Sequence, residues 1–164
     1  MQSIGFKEWA LVCQALGEGR QRVIVRKGGI AEGRNGFAFR YPEFFLFPTF
    51  FHEQLNRVRL FNAVLPEPPN DIEIQFLVRV KEARVMTDWE EVRALEPLHI
   101  LQESVVRERF EYDKAPGVHV AFVDVFRLDQ VWRFPDSKTF GGCRSWVPLP
   151  DPPRGLQLHP VQTT

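Results

Sequence analysis

Cysteine is scarce in this sequence: Cys13 and Cys143 are the only thiols among 164 residues. So few cysteines exclude a small scaffold stapled by disulfides. Because the N-terminus also lacks the basic, apolar pattern of a signal peptide, the two thiols indicate a reducing cytoplasm. Long apolar runs are missing as well, since no stretch approaches the roughly 18 residues of a transmembrane helix. We therefore expect a cytoplasmic protein with no membrane partner.

The sequence also lacks an excess of charge of either sign. Its 21 Lys and Arg residues are balanced by 21 Asp and Glu residues, so no global basic field attracts nucleic acid, although a local basic face remains open. The apolar share of 44% and the charged share of 26% are typical of a globular protein. We assign residues 1–149 to a single domain and residues 150–164 to a proline-rich, loose C-terminal tail.

Hydrophobic periodicity predicts many strands and a few helices. The predicted helices are residues 6–16, residues 50–61, a short helix opened by an Asp88–Glu91 capping box, and residues 103–110. The predicted strands are residues 21–27, 37–40, 44–47, 72–86, 98–101, 117–128 and 139–149. Because strands and helices do not alternate regularly, we predict an α+β fold, with a mostly antiparallel curled sheet or small barrel and flanking helices.

The stretch FFLFPTFF, residues 44–51, concentrates five phenylalanines in eight positions. It fits a buried core, a stacking platform for bases, or a membrane contact. The run is too short to cross a membrane, and Pro48 interrupts it. A junction between a strand and a helix capped by Thr49 would bury these rings. We therefore rank core packing first and the stacking platform second.

The best candidate for a binding site is the glycine-rich stretch that begins at Arg26. Two cations at a strand end precede two glycines whose backbone amides are able to face an anion such as phosphate or carboxylate. Other cationic or titratable side chains near predicted element ends complete the proposed face. The candidate ligand-binding residues are Arg26, Lys27, Gly28, Gly29, His52, Arg107 and Arg144. The ligand that this set favours is a nucleic acid or a nucleotide.

Two alternatives stay open. The first is an enzyme acting on a nucleotide or nucleic acid, with His52 and Glu53 as an acid–base pair. The second is a non-catalytic module that binds a protein partner or a second copy through exposed aromatics. No cofactor pattern is present, and we expect no metal, because His52, His99 and His119 match no zinc spacing and neither cysteine belongs to a CxxC pair.

Four short motifs together resemble a bacterial family known only as a domain of unknown function. They are Phe6-Lys7-Glu8-Trp9, Arg26-Lys27-Gly28-Gly29-Ile30, Phe44 to Thr49 with His52, and Gly142-Cys143-Arg144-Ser145-Trp146-Val147. The resemblance spans residues 6 to about 149, nearly the whole chain. It implies no activity, because none is assigned to that family.

The layout is similar to PUA-like and ASCH-like domains. The shared features are a leading helix around Trp9, a G-x-G-R turn at residues 17–20, a strand ending in Arg26, and a late strand followed by a turn and a Trp146 strand. Such domains often bind RNA or modified bases, and a few are enzymes. The short motif of that group is absent, because Val23, Ile24 and Val25 stand where a glutamate would precede the arginine.

Overall fold

The computed structural model describes residues 1–27 and 36–164. In these residues the chain forms three α-helices: α1 (Ala10–Gly17), α2 (Trp89–Arg93) and α3 (Glu103–Phe110). The strands are β1 (Ile4–Trp9), β2 (Val23–Arg26), β3 (Glu43–Thr49), β4 (Asp71–Met86), β5 (Val118–Pro135), β6 (Trp146–Pro148) and β7 (Leu158–Pro160). Single 3₁₀ turns occur at His52–Asn56, Glu96–Leu98 and Lys138–Phe140. None of these helices is long and apolar enough to span a membrane.

The strands form one open, curled sheet in the order β2-β5-β4-β3-β1-β6, with β7 also paired to β5. Every pairing is antiparallel except that of β1 with β3. The register of β4 against β5 shifts between Ile74 and Phe76 and again between Val80 and Glu82. Such bulges bend a strand pair and increase its twist, so they account for the curl. The predicted α+β class with a mostly antiparallel curled sheet is confirmed.

The FFLF run of β3 is buried on both faces of the sheet. Phe44 and Leu46 belong to one hydrophobic cluster, with Phe6, while Phe45 and Phe47 belong to a second cluster on the other face. All four β3 side chains are at most 5% exposed. A strand covered on both faces reads as a continuous apolar run rather than an alternating one. The prediction of core packing is therefore confirmed for residues 44–47.

The helix predicted over residues 6–16 is wrong in its first half. Residues up to Trp9 form β1, which pairs in parallel with β3 and antiparallel with β6. The helix begins only at Ala10. Phe6 is fully buried and packs against Phe44 and Trp146. Tertiary pairing thus overrides a helical spacing that was read from one segment alone.

The helix predicted over residues 50–61 is also wrong, because the chain makes only the 3₁₀ turn there. The Thr49 hydroxyl donates to the Glu8 carbonyl at 3.3 Å instead of capping a helix. Gln54, which is fully buried, holds the turn: its amide donates to the Thr49 and Phe51 carbonyls, and its Oε1 accepts from the Leu11 N–H. Residues 37–40 form no strand, and residues 98–101 contribute only the isolated bridge between Val58 and Leu101.

The C-terminal segment is not loose as predicted. β7 pairs with Phe126–Leu128 of β5, and the Val161 and Thr164 N–H groups donate to the Val125 and Gly19 carbonyls. A strand of three residues is too short to produce a periodic signal, which explains why the sequence did not reveal it. The division of the chain at residue 149 stays a prediction.

Gly17 provides a test of the packing between α1 and the sheet. A Cβ at this position would lie 2.1 Å from Cζ of Phe76, whose ring is covered by the Arg127 guanidinium at 5.0 Å. Helix propensity alone favours Ala over Gly by about 1 kcal/mol. We expect Gly17→Ala to lower the free energy of unfolding by about 1–3 kcal/mol instead, because the ring must move. Urea unfolding measures this, with Gln14→Ala on the exposed side of α1 as the control; a stabilised Gly17→Ala protein would contradict the packing.

Candidate anion-binding cleft

A small cleft lies where the end of β2 meets α3 and the segment before β6. Its volume is about 230 Å³. Three cationic side chains line it against a single carboxylate. The lining residues are Arg26, Lys27, Glu108, Arg109, Tyr112, Cys143 and Ser145. The excess of positive charge makes this cleft the candidate site for an anion.

Arg26 lines the cleft, and its guanidinium is only partly paired by the residues that the structure describes. Its guanidinium packs over the Phe6 ring at 4.5 Å, and its Nη2 donates to the Lys7 carbonyl. The Nε atom is buried and has no hydrogen-bond partner among the described residues. The nearby Glu8 carboxylate is buried too, but its Oε2 lies 3.8 Å from Nη2, beyond hydrogen-bond range. An unsatisfied buried donor costs about 1–3 kcal/mol, so a small movement of the side chain that brought an acceptor to Nε would be favoured.

Arg109 brings a second guanidinium from α3. Its Nη1 donates to the Val25 carbonyl of β2 at 2.6 Å, and the group lies over the Trp9 ring at 4.9 Å. Burial lowers the pKa of Arg109 to about 10; Glu8 opposes this shift and Arg26 adds to it. The side chain is still a cation at neutral pH. Two mutually repelling guanidiniums held together are typical of a site that receives negative charge.

Lys27 is engaged with the backbone rather than free for a ligand. Its Nζ donates to the Ala115 and Gly117 carbonyls at 2.6 and 2.8 Å and pairs with Asp113 at 3.2 Å. An ammonium has three protons, so these partners occupy all of them. Lys27 therefore fixes the turn before β5 and acts on a ligand only through its charge. The same geometry lowers the pKa of Asp113, first through the Ala115 N–H and then through Lys27.

The structure gathers only some of the residues that the sequence suggested. Arg26 and Lys27 meet in the cleft, whereas Gly28 and Gly29 lie outside the described residues. Arg144 donates a hydrogen bond to the Thr139 carbonyl instead. Burial, followed by the charge of Arg144, lowers the pKa of Lys7.

Neither His52 nor Arg107 lines the cleft. Arg107 covers Trp89 at 4.5 Å and pairs with Glu111. His52 is exposed on the 3₁₀ turn, and no hydrogen bond joins it to Glu53 in the described part of the chain.

Arg109 is the residue that sequence reasoning missed. It follows Val105 by four positions and Val106 by three, so it shares their buried face of α3. A cation on the apolar face of a short helix was the available signal. The sequence analysis selected Arg107, whose side chain faces outward and pairs with Glu111.

The three histidines considered as metal ligands lie apart. His99 is buried, His52 is exposed, and His119 lies on β5 with its ring against Phe37. Within residues 1–27 and 36–164, no group of three or more His, Cys, Asp or Glu side chains is placed to hold a metal.

Comparison with protein families identifies the chain. A family described as a domain of unknown function (DUF1802) matches residues 5–164. The chain belongs to this family. No curated protein matches it significantly. The resemblance carried by the four sequence motifs is thereby confirmed.

The chain is similar to two solved structures. A serine-to-alanine mutant of ASCH from Zymomonas mobilis has a TM-score of 0.55 and 11% identity, covering 90% of this chain and 87% of that chain. A second structure of ASCH from Zymomonas mobilis has a TM-score of 0.46 and 11% identity, covering 73% of this chain and 65% of that chain, which is less than two thirds of it. The first likeness shows an ASCH-like fold, as the layout suggested.

His99, which lies just before α3, makes the stability of the protein depend on pH. Its Nδ1 accepts from the Leu101 N–H at 3.0 Å, and burial followed by Arg59 and Arg109 lowers its pKa from 6.5 to about 4. Between these values the unfolded chain binds the proton and the folded chain does not. Stability from this group is therefore complete above about pH 6.5 and decreases as the pH falls towards 4, by at most about 3 kcal/mol.

Urea unfolding from pH 4.5 to 7.5 measures this dependence. We expect His99→Asn to remove the difference between the two ends of the range, apart from what the carboxylates contribute. His52→Asn, at an exposed position, serves as the control and should keep the wild-type slope. Identical slopes for wild type and His99→Asn would contradict the assignment.

Proposed function

We propose that the protein binds the phosphate backbone of a nucleic acid, RNA in the first instance, through the cleft between Arg26 and Arg109. The observation that carries the proposal is that two guanidiniums, Arg26 and Arg109, line one cleft, with the buried Nε of Arg26 left without a partner among the described residues. Guanidinium groups match the geometry of phosphate oxygens and stay charged at physiological pH. RNA is the first candidate because the ASCH-like fold is associated with RNA binding.

The size of the cleft favours a phosphate group of a polymer over a whole nucleotide. Its volume of about 230 Å³ is below the roughly 300–1,000 Å³ that encloses a complete small ligand. A single phosphate would fit between the guanidiniums while the rest of the strand ran over the surface. With zero net charge on the chain, we expect few phosphate contacts and a shallow dependence on salt.

Charge-removing substitutions test the proposal. Arg26→Gln and Arg109→Gln should each weaken RNA binding about 10-fold or more, because each removes charge-assisted hydrogen bonds. The slope of log affinity against log salt should be about −1.4 for two phosphate contacts. In each variant one contact is lost, so the slope should become shallower, at about −0.7. Fluorescence anisotropy at several salt concentrations measures both quantities.

The matched control is Arg93→Gln, since Arg93 is exposed on α2 and pairs with Glu90. It should bind as the wild type does. Thermal unfolding of each variant separates loss of the site from loss of the fold. Binding that is equal in all three variants, or independent of salt, would overturn the proposal.

A further inference from the structure

An aromatic pair adjoins the cleft through Arg109. The Trp9 ring lies under the guanidiniums of Arg109 at 4.9 Å and Arg57 at 5.7 Å. The Phe51 ring stands edge-on to Trp9, with centroids 5.1 Å apart. Arg57 also pairs with Glu108, which lines the cleft, at 3.0 Å. Cations and aromatic rings therefore form one continuous chain of contacts from the cleft to Phe51.

Phe51 is more exposed than the other four rings of residues 44–51, of which Phe50 is half-buried. Phe44, Phe45 and Phe47 are at most 5% exposed, whereas Phe51 is 38% exposed. The backbone fixes this position, because the Phe51 carbonyl accepts from the amide of the buried Gln54 at 2.9 Å. The ring is thus held in place by the turn and by Trp9, and packing does not cover it. An ordered, exposed ring beside cations is suited to stacking on a base.

We propose that Phe51, oriented by Trp9, stacks on an unpaired base of the strand whose phosphate occupies the cleft, so that the ligand is a single-stranded nucleic acid. This inference rests on the proposed function and names its substrate class. The bases of a duplex are already stacked inside the helix and cannot reach a ring on a protein surface. The alternation of cations with aromatic rings is the arrangement found in proteins that bind single strands.

An abasic ligand separates stacking from phosphate binding. A single-stranded RNA of about 12 nucleotides and an abasic backbone of equal length carry the same phosphates, but only the first carries bases. Phe51→Ala should weaken binding of the RNA about 5- to 100-fold, the range for one stacked base, and leave binding of the abasic backbone unchanged. Phe51→Leu, which keeps an apolar side chain without a ring, should behave like Phe51→Ala, and Phe51→Tyr like the wild type.

Phe61→Ala is the matched control, because Phe61 is 93% exposed and has no ring contact among the described residues. It should leave both affinities unchanged. Equal binding of RNA by wild type and Phe51→Ala, or an equal loss on the abasic backbone, would overturn the stacking assignment alone. Wild-type preference for a duplex would overturn it as well. If the wild type binds neither ligand, the phosphate cleft itself is wrong, and the stacking proposal falls with it.

Discussion

The hydrogen bond from Arg26 to the Lys7 carbonyl joins two strands that the sheet keeps apart. In the strand order, β5, β4 and β3 separate β2 from β1. The curl imposed by the β4–β5 bulges nevertheless brings the end of β2 close to Lys7 of β1. A guanidinium, rather than a backbone ladder, spans this gap. Because a side chain spans it, the gap keeps room for a cleft.

Arg109 protects the edge of β2, and Lys27 satisfies the turn before β5. A strand edge exposes carbonyl groups that invite pairing with another chain. Arg109 covers the Val25 carbonyl, and Lys27 covers two carbonyls in the turn before β5. Local positive charge thus arises from the need to satisfy a strand edge, even though the whole chain is neutral. The structural role uses Nη2 of Arg26 and Nη1 of Arg109, and the proposed binding role would use other N–H groups of each guanidinium.

The sequence was most informative where one segment determines its own structure. The alternation over residues 72–86 predicted β4, and the Asp88 capping box predicted α2, where the Asp88 side chain accepts from the Glu90 N–H. It misled where distant partners decide. Residues 6–9 form a strand rather than a helix because they pair with β3 and β6. The Thr49 hydroxyl donates to the Glu8 carbonyl rather than capping a helix. Arg26 was identified from its place at a strand end, but its contact with Lys7 depends on the curl, which no local pattern reveals.

Glu8 couples the cleft to the aromatic pair. Its Oε1 accepts from the Trp9 N–H at 2.8 Å, and its Oε2 faces Arg26 at 3.8 Å. The Glu8 carbonyl is held by the Thr49 hydroxyl and the Cys13 thiol, so the backbone at this point is fixed. The buried Glu8 therefore limits the repulsion between the two guanidiniums, and it holds the backbone of Trp9 in the same place.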